Sequence, residues 1–516
     1  MKSKNLNLTG SSLSINQIFS LNNEANTKIA VSLAAQKNVE KCYQFLQGVL
    51  KKNHKVIYGI NTGFGPMANY LLPHNQLEKL QENLILSHAV GMGEKLPDEF
   101  VLAAMAVRLN TLVKGHSGVS PKLIKLLSDF INNRIIPVIP EHGAVGTSGD
   151  LVQLAHIALA LLGKGKVSFQ NKIVPAQKAL TEAKLKPYKL EPKEGLALIN
   201  GTSVMTGIAA RVNFNAKKLL DLSVLTGCMA LEIVRGYDDS FSQKLHSLRP
   251  HIGQNSIAKQ MRQILQSSHL IRNRLALDAK INHSHDINHI NETVQEVYSL
   301  RCIAQILGPI SDTLQKTWKE TEVEMNSVTD NPVIDWQGKQ FLHGGNFHGE
   351  YIAQGMDRLK LAITKLSMLS ERRLNFFVNP NINKNLPPFL NLEKPGLSLA
   401  LQGLQFVATS TAAHNQTLAY PMSLHSISTN GDNQDVVSMG TDAALITSKV
   451  VENAFIVLSI ECVALAQAVD YLKIQNHLSA KTKKLYTEVR KVLPVILEDR
   501  EINEELSKVT TTLKNF

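Results

Sequence analysis

From Asp435 to Leu472 the chain carries dense helical apolar periodicity with few breakers, and a helix of that length would run roughly 55 Å at about 1.5 Å per residue. Its apolar residues fall on several faces, so one small domain cannot cover it and it needs helical neighbours. The same texture recurs at Asn213–Ala230, Cys302–Met325, Tyr351–Arg373 and Leu397–Ala413. Hydrophobic residues make up 44% of the chain, mostly Leu, Ile, Val and Ala, while aromatics are only 5%, a balance that suits packed helices better than a β-sandwich. A mainly α protein is expected, with self-association as the outlet for leftover apolar surface. Glu452, Asn453, Glu461 and Asp470 interrupt the run Val450–Leu472, which therefore predicts a bundle helix and not a membrane span.

Up to about residue 205 the texture differs, with short helical patterns alternating with glycine-rich turns such as Asn61–Gly65, Gly91-Met92-Gly93 and Gly115–Gly118. A site-building domain over 1–205 and a helical domain over 206–516 are the expected parts. Lys and Arg exceed Asp and Glu, 55 against 43, but the basic residues are scattered. The small clusters Lys51-Lys52-Asn53-His54-Lys55 and Lys481-Thr482-Lys483-Lys484 lack interleaved aromatics, so a solvated basic surface is expected and neither nucleic acid nor a membrane is a partner. Cys42, Cys228, Cys302 and Cys462 lie far apart without metal-ligand spacing, and the start Met1-Lys2-Ser3-Lys4-Asn5 leads into no apolar signal core; reduced thiols in a cytoplasmic protein are expected.

The segment with chemistry of its own is Gly146-Thr147-Ser148-Gly149-Asp150, between the proline-bounded stretch Ile135–Pro140 and an apolar helix Leu151–Leu162. As plain structure it is a turn, with glycines free to take positive φ and Asp150 suited to N-cap the helix. As chemistry, a small residue followed by Ser-Gly can close on itself. The Gly149 amide nitrogen attacks the carbonyl carbon of residue 147, and loss of water there and from the Ser148 side chain leaves a five-membered ring with an exocyclic methylene, an electrophile made from the chain alone.

The flanks Glu141-His142-Gly143-Ala144-Val145 and Leu151-Val152-Gln153-Leu154-Ala155-His156 resemble the signature of the aromatic amino-acid ammonia-lyases. Four further segments occur in that family's order: Tyr58–Gly65, Glu194–Thr202, Tyr298-Ser299-Leu300-Arg301-Cys302 and His343–Gly349. The resemblance runs from about Tyr58 to about Gly440. It implies a mainly α fold, in which an irregular N-terminal α domain bears the prosthetic group and a long antiparallel helical bundle follows. It also implies a 4-methylidene-imidazol-5-one formed autocatalytically from Thr147-Ser148-Gly149, with no metal and no nucleotide, in a homotetramer whose active sites are shared between subunits.

The same resemblance assigns roles. Ser148 becomes the electrophile that takes up the substrate amine, and Tyr58 is the base that removes the β-proton. An ordinary tyrosine hydroxyl titrates near ~10, so such a role requires N–H donors or helix N-termini aimed at the oxygen. Tyr298 stands beside the prosthetic group. Arg301, three residues on and on the same helical face, clamps the substrate carboxylate with its planar fork. Gln295 lies near the substrate, Asn200 holds the ring oxygen and substrate, Phe347 packs against the ring, and Asn433-Gln434 matches the family's amide pair. His88, after Ser87, falls where the family reads the aromatic side chain; it can exchange hydrogen bonds with a phenol or an imidazole and argues against an all-apolar phenylalanine pocket.

Catabolic histidine ammonia-lyases carry Gln after Asn-Gly-Thr, where this chain has Ser203. The run Asn200–Gly207, with Ser426–Asn430 and Asn433-Gln434-Asp435, more closely resembles bacterial tyrosine ammonia-lyases. Conversion of L-tyrosine to p-coumarate is therefore the leading expectation, with histidine ammonia-lyase, a 2,3-aminomutase and a catalytically dead scaffold as alternatives. One departure bears on the last: Thr147 stands where the family usually has Ala, and its β-branch opposes the bend that cyclisation needs.

Overall fold

The computed structural model describes residues 5–24, 26–52, 55–278, 293–394 and 396–516. Asn53 and His54 of the first basic cluster, and residues 1–4, lie outside the described residues. The chain is mainly helical, as its periodicity predicts. The helices used below are α1 (Leu77–His88), α2 (Asp98–Leu112), α3 (Leu151–Leu161), α4 (Glu194–Ile199), α5 (Ser203–Ile233), α6 (Ile303–Met325), α7 (Glu350–Val378), α8 (Gln402–Leu418) and α9 (Gly440–Leu472).

Two compact units form. The first comprises Met1–Phe214, Lys316–Asp357 and Pro421–Ser448, and the second Asn215–Gln315, Arg358–Tyr420 and Lys449–Phe516. The expected division at 205/206 is a single cut along the chain, whereas these units are assembled from separated segments, with boundaries falling inside α5, α6, α7 and α9. A long helix is a continuous hydrogen-bonded rod, so its two ends can serve different cores.

In the first unit α2 is buried along Phe100–Leu112, including the charged Arg108. Short strands brace the turn-rich parts: Met92–Lys95 pairs antiparallel with Pro140–His142, and Ile136–Pro137, Lys166–Phe169 and Lys172–Pro175 form a three-stranded sheet. The strands before Gly146 and helix α3 after it place the Gly146–Asp150 run at a strand-to-helix junction, as expected.

The second unit ties its buried helices with polar contacts. Arg373 on α7 donates to the Glu461 carboxylate on α9, Nε to Oε1 at 2.5 Å and Nη2 to Oε2 at 3.1 Å, and also to Thr226 Oγ1 on α5 at 3.0 Å. Both charged side chains are fully buried, so each offsets the desolvation of the other. Asn415 on α8 donates to the Val450 carbonyl of α9 at 3.1 Å. The four cysteines are free thiols, Cys302 half-buried and the others buried. The most apolar part of α9 is 78% buried inside the protein.

Helix α5 begins at Ser203, before the Asn213 that the periodicity marks, and α8 and α9 begin later than it marks, for local electrostatic and steric reasons. Helix α8 begins at Gln402, not Leu397, because the Asp499 carboxylate accepts from Ser398 Oγ and from the Leu399 and Ala400 N–H groups at 2.7–2.9 Å, and Ala400 turns to a φ of +46°. Helix α9 begins at Gly440, not Asp435. Met439, at a φ of +53°, gives its N–H to the Val145 carbonyl, so the residues before it line a site and do not wind into the helix.

Candidate active site

The Gly146–Asp150 run is held by three separate segments of the first unit. Gly201 pairs with Gly149 in a parallel bridge, with Asp150 N–H donating to Gly201 O at 2.8 Å. Gly349 N–H donates to Gly146 O at 3.0 Å, and Ser438 Oγ donates to the same carbonyl at 2.9 Å. Gly149 has a φ of +75°, and a Cβ there would lie 2.0 Å from Gly201 O, so no other residue fits.

The expected N-cap is not made. The Asp150 side chain does not cap its own helix α3. Its Oδ2 accepts instead from the Val204 and Met205 N–H groups at 2.8 and 3.0 Å, the open first turn of α5, and Oδ1 accepts from Thr441 Oγ1. A carboxylate at a helix N-terminus is favourable wherever it comes from in sequence, and here it pins the run to α5 and α9 together. Burial nevertheless pushes the Asp150 carboxyl up to about 6.

Two N–H donors converge on the Ser148 carbonyl oxygen: Asn200 Nδ2 at 3.0 Å and the Gly201 backbone at 3.2 Å. The Asn200 Oδ1 is buried and has no hydrogen-bond partner among the described residues. Asn200 is itself fixed from behind, since Arg108 Nη2 donates to its backbone carbonyl at 2.7 Å and to the Ala197 carbonyl of α4. Arg108 is completely buried, and burial lowers its guanidinium to about 10. The sequence signal for it was a lone arginine inside the apolar run Phe100–Leu112. Gln81, on α1 and fully buried, is a second residue unforeseen from sequence: its amide accepts from Leu196 N–H at 3.0 Å and donates to the Gly59 carbonyl at 3.1 Å, beside Tyr58.

These contacts open onto a cavity of about 930 Å³ lined by Tyr58, His88, Thr147, Ser148, Gly149, Asn200, Phe347, Asn433 and Gln434. All nine belong to the first unit, so sites nominated from segments hundreds of residues apart do meet. Tyr58 sits in a turn, accepts the Gly65 N–H on its hydroxyl at 3.1 Å and packs edge-on to Phe64, with ring centroids 6.4 Å apart. That N–H is one donor of the kind its expected role requires. Gln434 accepts from Thr147 Oγ1 at 2.6 Å and donates from Nε2 to Ser148 Oγ at 2.9 Å.

At the α1 end the lining is Leu80, Asn83, Leu84, Ser87 and His88. His88 Nδ1 lies 2.9 Å from the Leu84 carbonyl oxygen, which can only accept, so Nδ1 is the donor and Nε2 is the ring nitrogen left for another partner. Gln295, Tyr298 and Arg301 do not line this cavity and belong to the second unit. Tyr298 and Arg301 share a single helical turn, Tyr298–Arg301, with the guanidinium carbon 4.8 Å from the tyrosine ring centroid; Tyr298 is 70% exposed and Gln295 is exposed as well.

The donor set fits the ring implied by the Thr-Ser-Gly run. The Ser148 oxygen, which would be the exocyclic oxygen of such a ring, has two donors, and Gly149 turns sharply beside it at a φ of +75°. Residues 13–491 match the family described as aromatic amino acid lyase. The chain is 41% identical over 461 residues to a tyrosine 2,3-aminomutase of Myxococcus fulvus, covering 89% of this chain and 88% of that protein. It is 39% identical over 509 residues to a histidine ammonia-lyase of Bacillus mycoides, covering 99% and 97%. The solved tyrosine aminomutase of Streptomyces globisporus superposes with a TM-score of 0.94 at 35% identity, covering 99% and 97%. With this fold, this run and this coverage, the chain belongs to the aromatic amino acid lyase family of ammonia-lyases and aminomutases.

Proposed function

We propose that the protein eliminates ammonia from L-tyrosine to give p-coumarate, using a methylidene-imidazolone formed from Thr147-Ser148-Gly149. The observation that carries the elimination is the pair of N–H donors on the Ser148 carbonyl, placed in one cavity with Tyr58. The prosthetic group supplies an electrophilic carbon for the substrate amine and so makes ammonia a better leaving group. Asn200 Nδ2 and Gly201 N hold the Ser148 oxygen, where they favour negative charge. The Tyr58 hydroxyl oxygen takes the proton from the substrate β-carbon. Phe347 supplies an apolar wall.

His88 supports a phenol-bearing substrate. Its Nε2 acceptor matches a phenol O–H, a donor that phenylalanine lacks. We assign Arg301 to the substrate carboxylate, with Gln295 and Tyr298 beside it, contributed by another subunit of a homotetramer. The exposure of Tyr298 is compatible with that assignment.

Two other outcomes have specific support. Similarity to the Myxococcus fulvus tyrosine 2,3-aminomutase favours return of ammonia to the β-carbon, and similarity to the Bacillus mycoides histidine ammonia-lyase favours L-histidine. Incubation with L-tyrosine, L-histidine and L-phenylalanine, with products separated as arylacrylate or β-amino acid, tests all three. Release of urocanate alone, or of β-tyrosine in place of p-coumarate, overturns the proposal.

A further inference from the structure

We propose that the Thr147 hydroxyl is a maturation device: it fixes the Gln434 amide so that its N–H faces the Ser148 hydroxyl that must leave when the prosthetic group forms. This rests on the reading above that Thr147-Ser148-Gly149 cyclises. An amide can face Ser148 with either end, and the two ends do opposite things. An N–H donated to Ser148 Oγ favours negative charge on that oxygen, whereas a carbonyl facing it would accept the hydroxyl proton and oppose departure.

The distances distinguish the two. Thr147 Oγ1 to Gln434 Oε1 is 2.6 Å, in the range of O–H···O bonds, and Gln434 Nε2 to Ser148 Oγ is 2.9 Å, the usual N–H···O length. Thr147 is only 4% exposed, so water does not readily compete for its hydroxyl. Gln434 is held at its backbone as well, exchanging hydrogen bonds with Thr429 in both directions at 3.1 and 3.2 Å. A hydroxyl can donate or accept, so it is the 2.6 Å separation, too short for an amide N–H given to Thr147 Oγ1, that turns Gln434 Oε1 toward Thr147 and Nε2 toward Ser148.

The step it assists balances within the chain. Gly149 N attacks the Thr147 carbonyl carbon, and that oxygen leaves as water with the Gly149 and Ser148 amide protons. The Ser148 Cβ–Oγ bond then breaks, the Cα–H electron pair becomes the Cα=Cβ bond, and the hydroxide leaves as water with the former Cα proton. Gln434 Nε2–H stabilises the hydroxide as it departs. The hydroxyl of Thr147 thus offsets the hindrance of its own β-branch.

The test follows intact mass during cell-free synthesis, reading the loss of two waters against time, with circular dichroism to confirm folding. Thr147→Val keeps the branch and removes the hydroxyl, and is expected to mature roughly tenfold to a hundredfold more slowly, the effect of one hydrogen bond to a charged oxygen. Thr147→Ser restores the hydroxyl and is expected to mature at least as fast as the natural chain. Gln434→Glu, which has no N–H to offer, is expected to be slow by itself and no slower when combined with Thr147→Val. A folded Thr147→Val chain that matures at the natural rate overturns the role of Thr147 while leaving cyclisation intact. A folded natural chain of unmodified mass overturns cyclisation and this proposal together.

Discussion

Replacing Asn200 by Ala removes one of the two N–H donors on the Ser148 carbonyl and leaves the Gly201 N–H, at 3.2 Å, alone. Loss of one such donor from a preorganised, water-poor site costs about 3–4 kcal/mol at the transition state, so kcat should fall about 10²–10³-fold. Stability should barely change. The variant loses one hydrogen bond but also loses the buried Oδ1 acceptor that has no partner, and Arg108 still holds the residue-200 carbonyl. These terms oppose each other, so the net change should stay within about 1 kcal/mol. The assay is p-coumarate absorbance from L-tyrosine, read beside thermal unfolding and intact mass. Should Asn200→Ala show full loss of two waters, unfold at the natural temperature and turn over within about threefold of the natural enzyme, the donor-pair argument fails.

Gly149→Ala should neither cyclise nor fold normally around Gly201, because its Cβ would stand 2.0 Å from a backbone oxygen at a φ of +75°; mass and circular dichroism report both. If the proposed tyrosine specificity holds, His88→Leu should lower the kcat/KM ratio of L-tyrosine to L-phenylalanine by at least about tenfold, since the acceptor proposed for the phenol is gone; an unchanged ratio would place substrate discrimination elsewhere. Asp150 gives a pH dependence of known sign. Its native value, about 6, lies above the usual carboxyl range, so between about pH 4 and 6 the folded state holds a proton that the unfolded state releases, and its contribution to stability falls as pH rises through that window. Asp150→Asn should lack that slope in urea melts taken across the window. In the second unit, Glu461→Leu strands the buried Arg373 cation and should cost about 3–5 kcal/mol in urea unfolding, whereas Arg373→Leu combined with Glu461→Leu should cost much less.

The amino-acid sequence determined the helical class, the approximate extent of the long helices and the chemistry available at Thr147-Ser148-Gly149. Those properties are local: apolar periodicity acts over neighbouring turns, and cyclisation involves three adjacent residues. The resemblance brought Tyr58, His88, Asn200, Phe347, Asn433 and Gln434 into one list, and folding brings them into one cavity. What local reasoning misplaced were groups whose partners are remote. Asp150 reads as the cap of the helix that follows it, yet its carboxylate serves α5 and a threonine 291 residues away. Asp499 shortens a helix about a hundred residues earlier. Thr147 reads as a steric obstacle, and only folding gives its hydroxyl a partner, Gln434, 287 residues on. Arg108 reads as an interruption of an apolar helix and stands behind Asn200 as a buried cation. Hydrophobic pattern is repeated along the chain and so can be read from it. A polar side chain takes its partner from whichever buried donor or acceptor the packed chain brings within about 3 Å, and that choice exists only after folding.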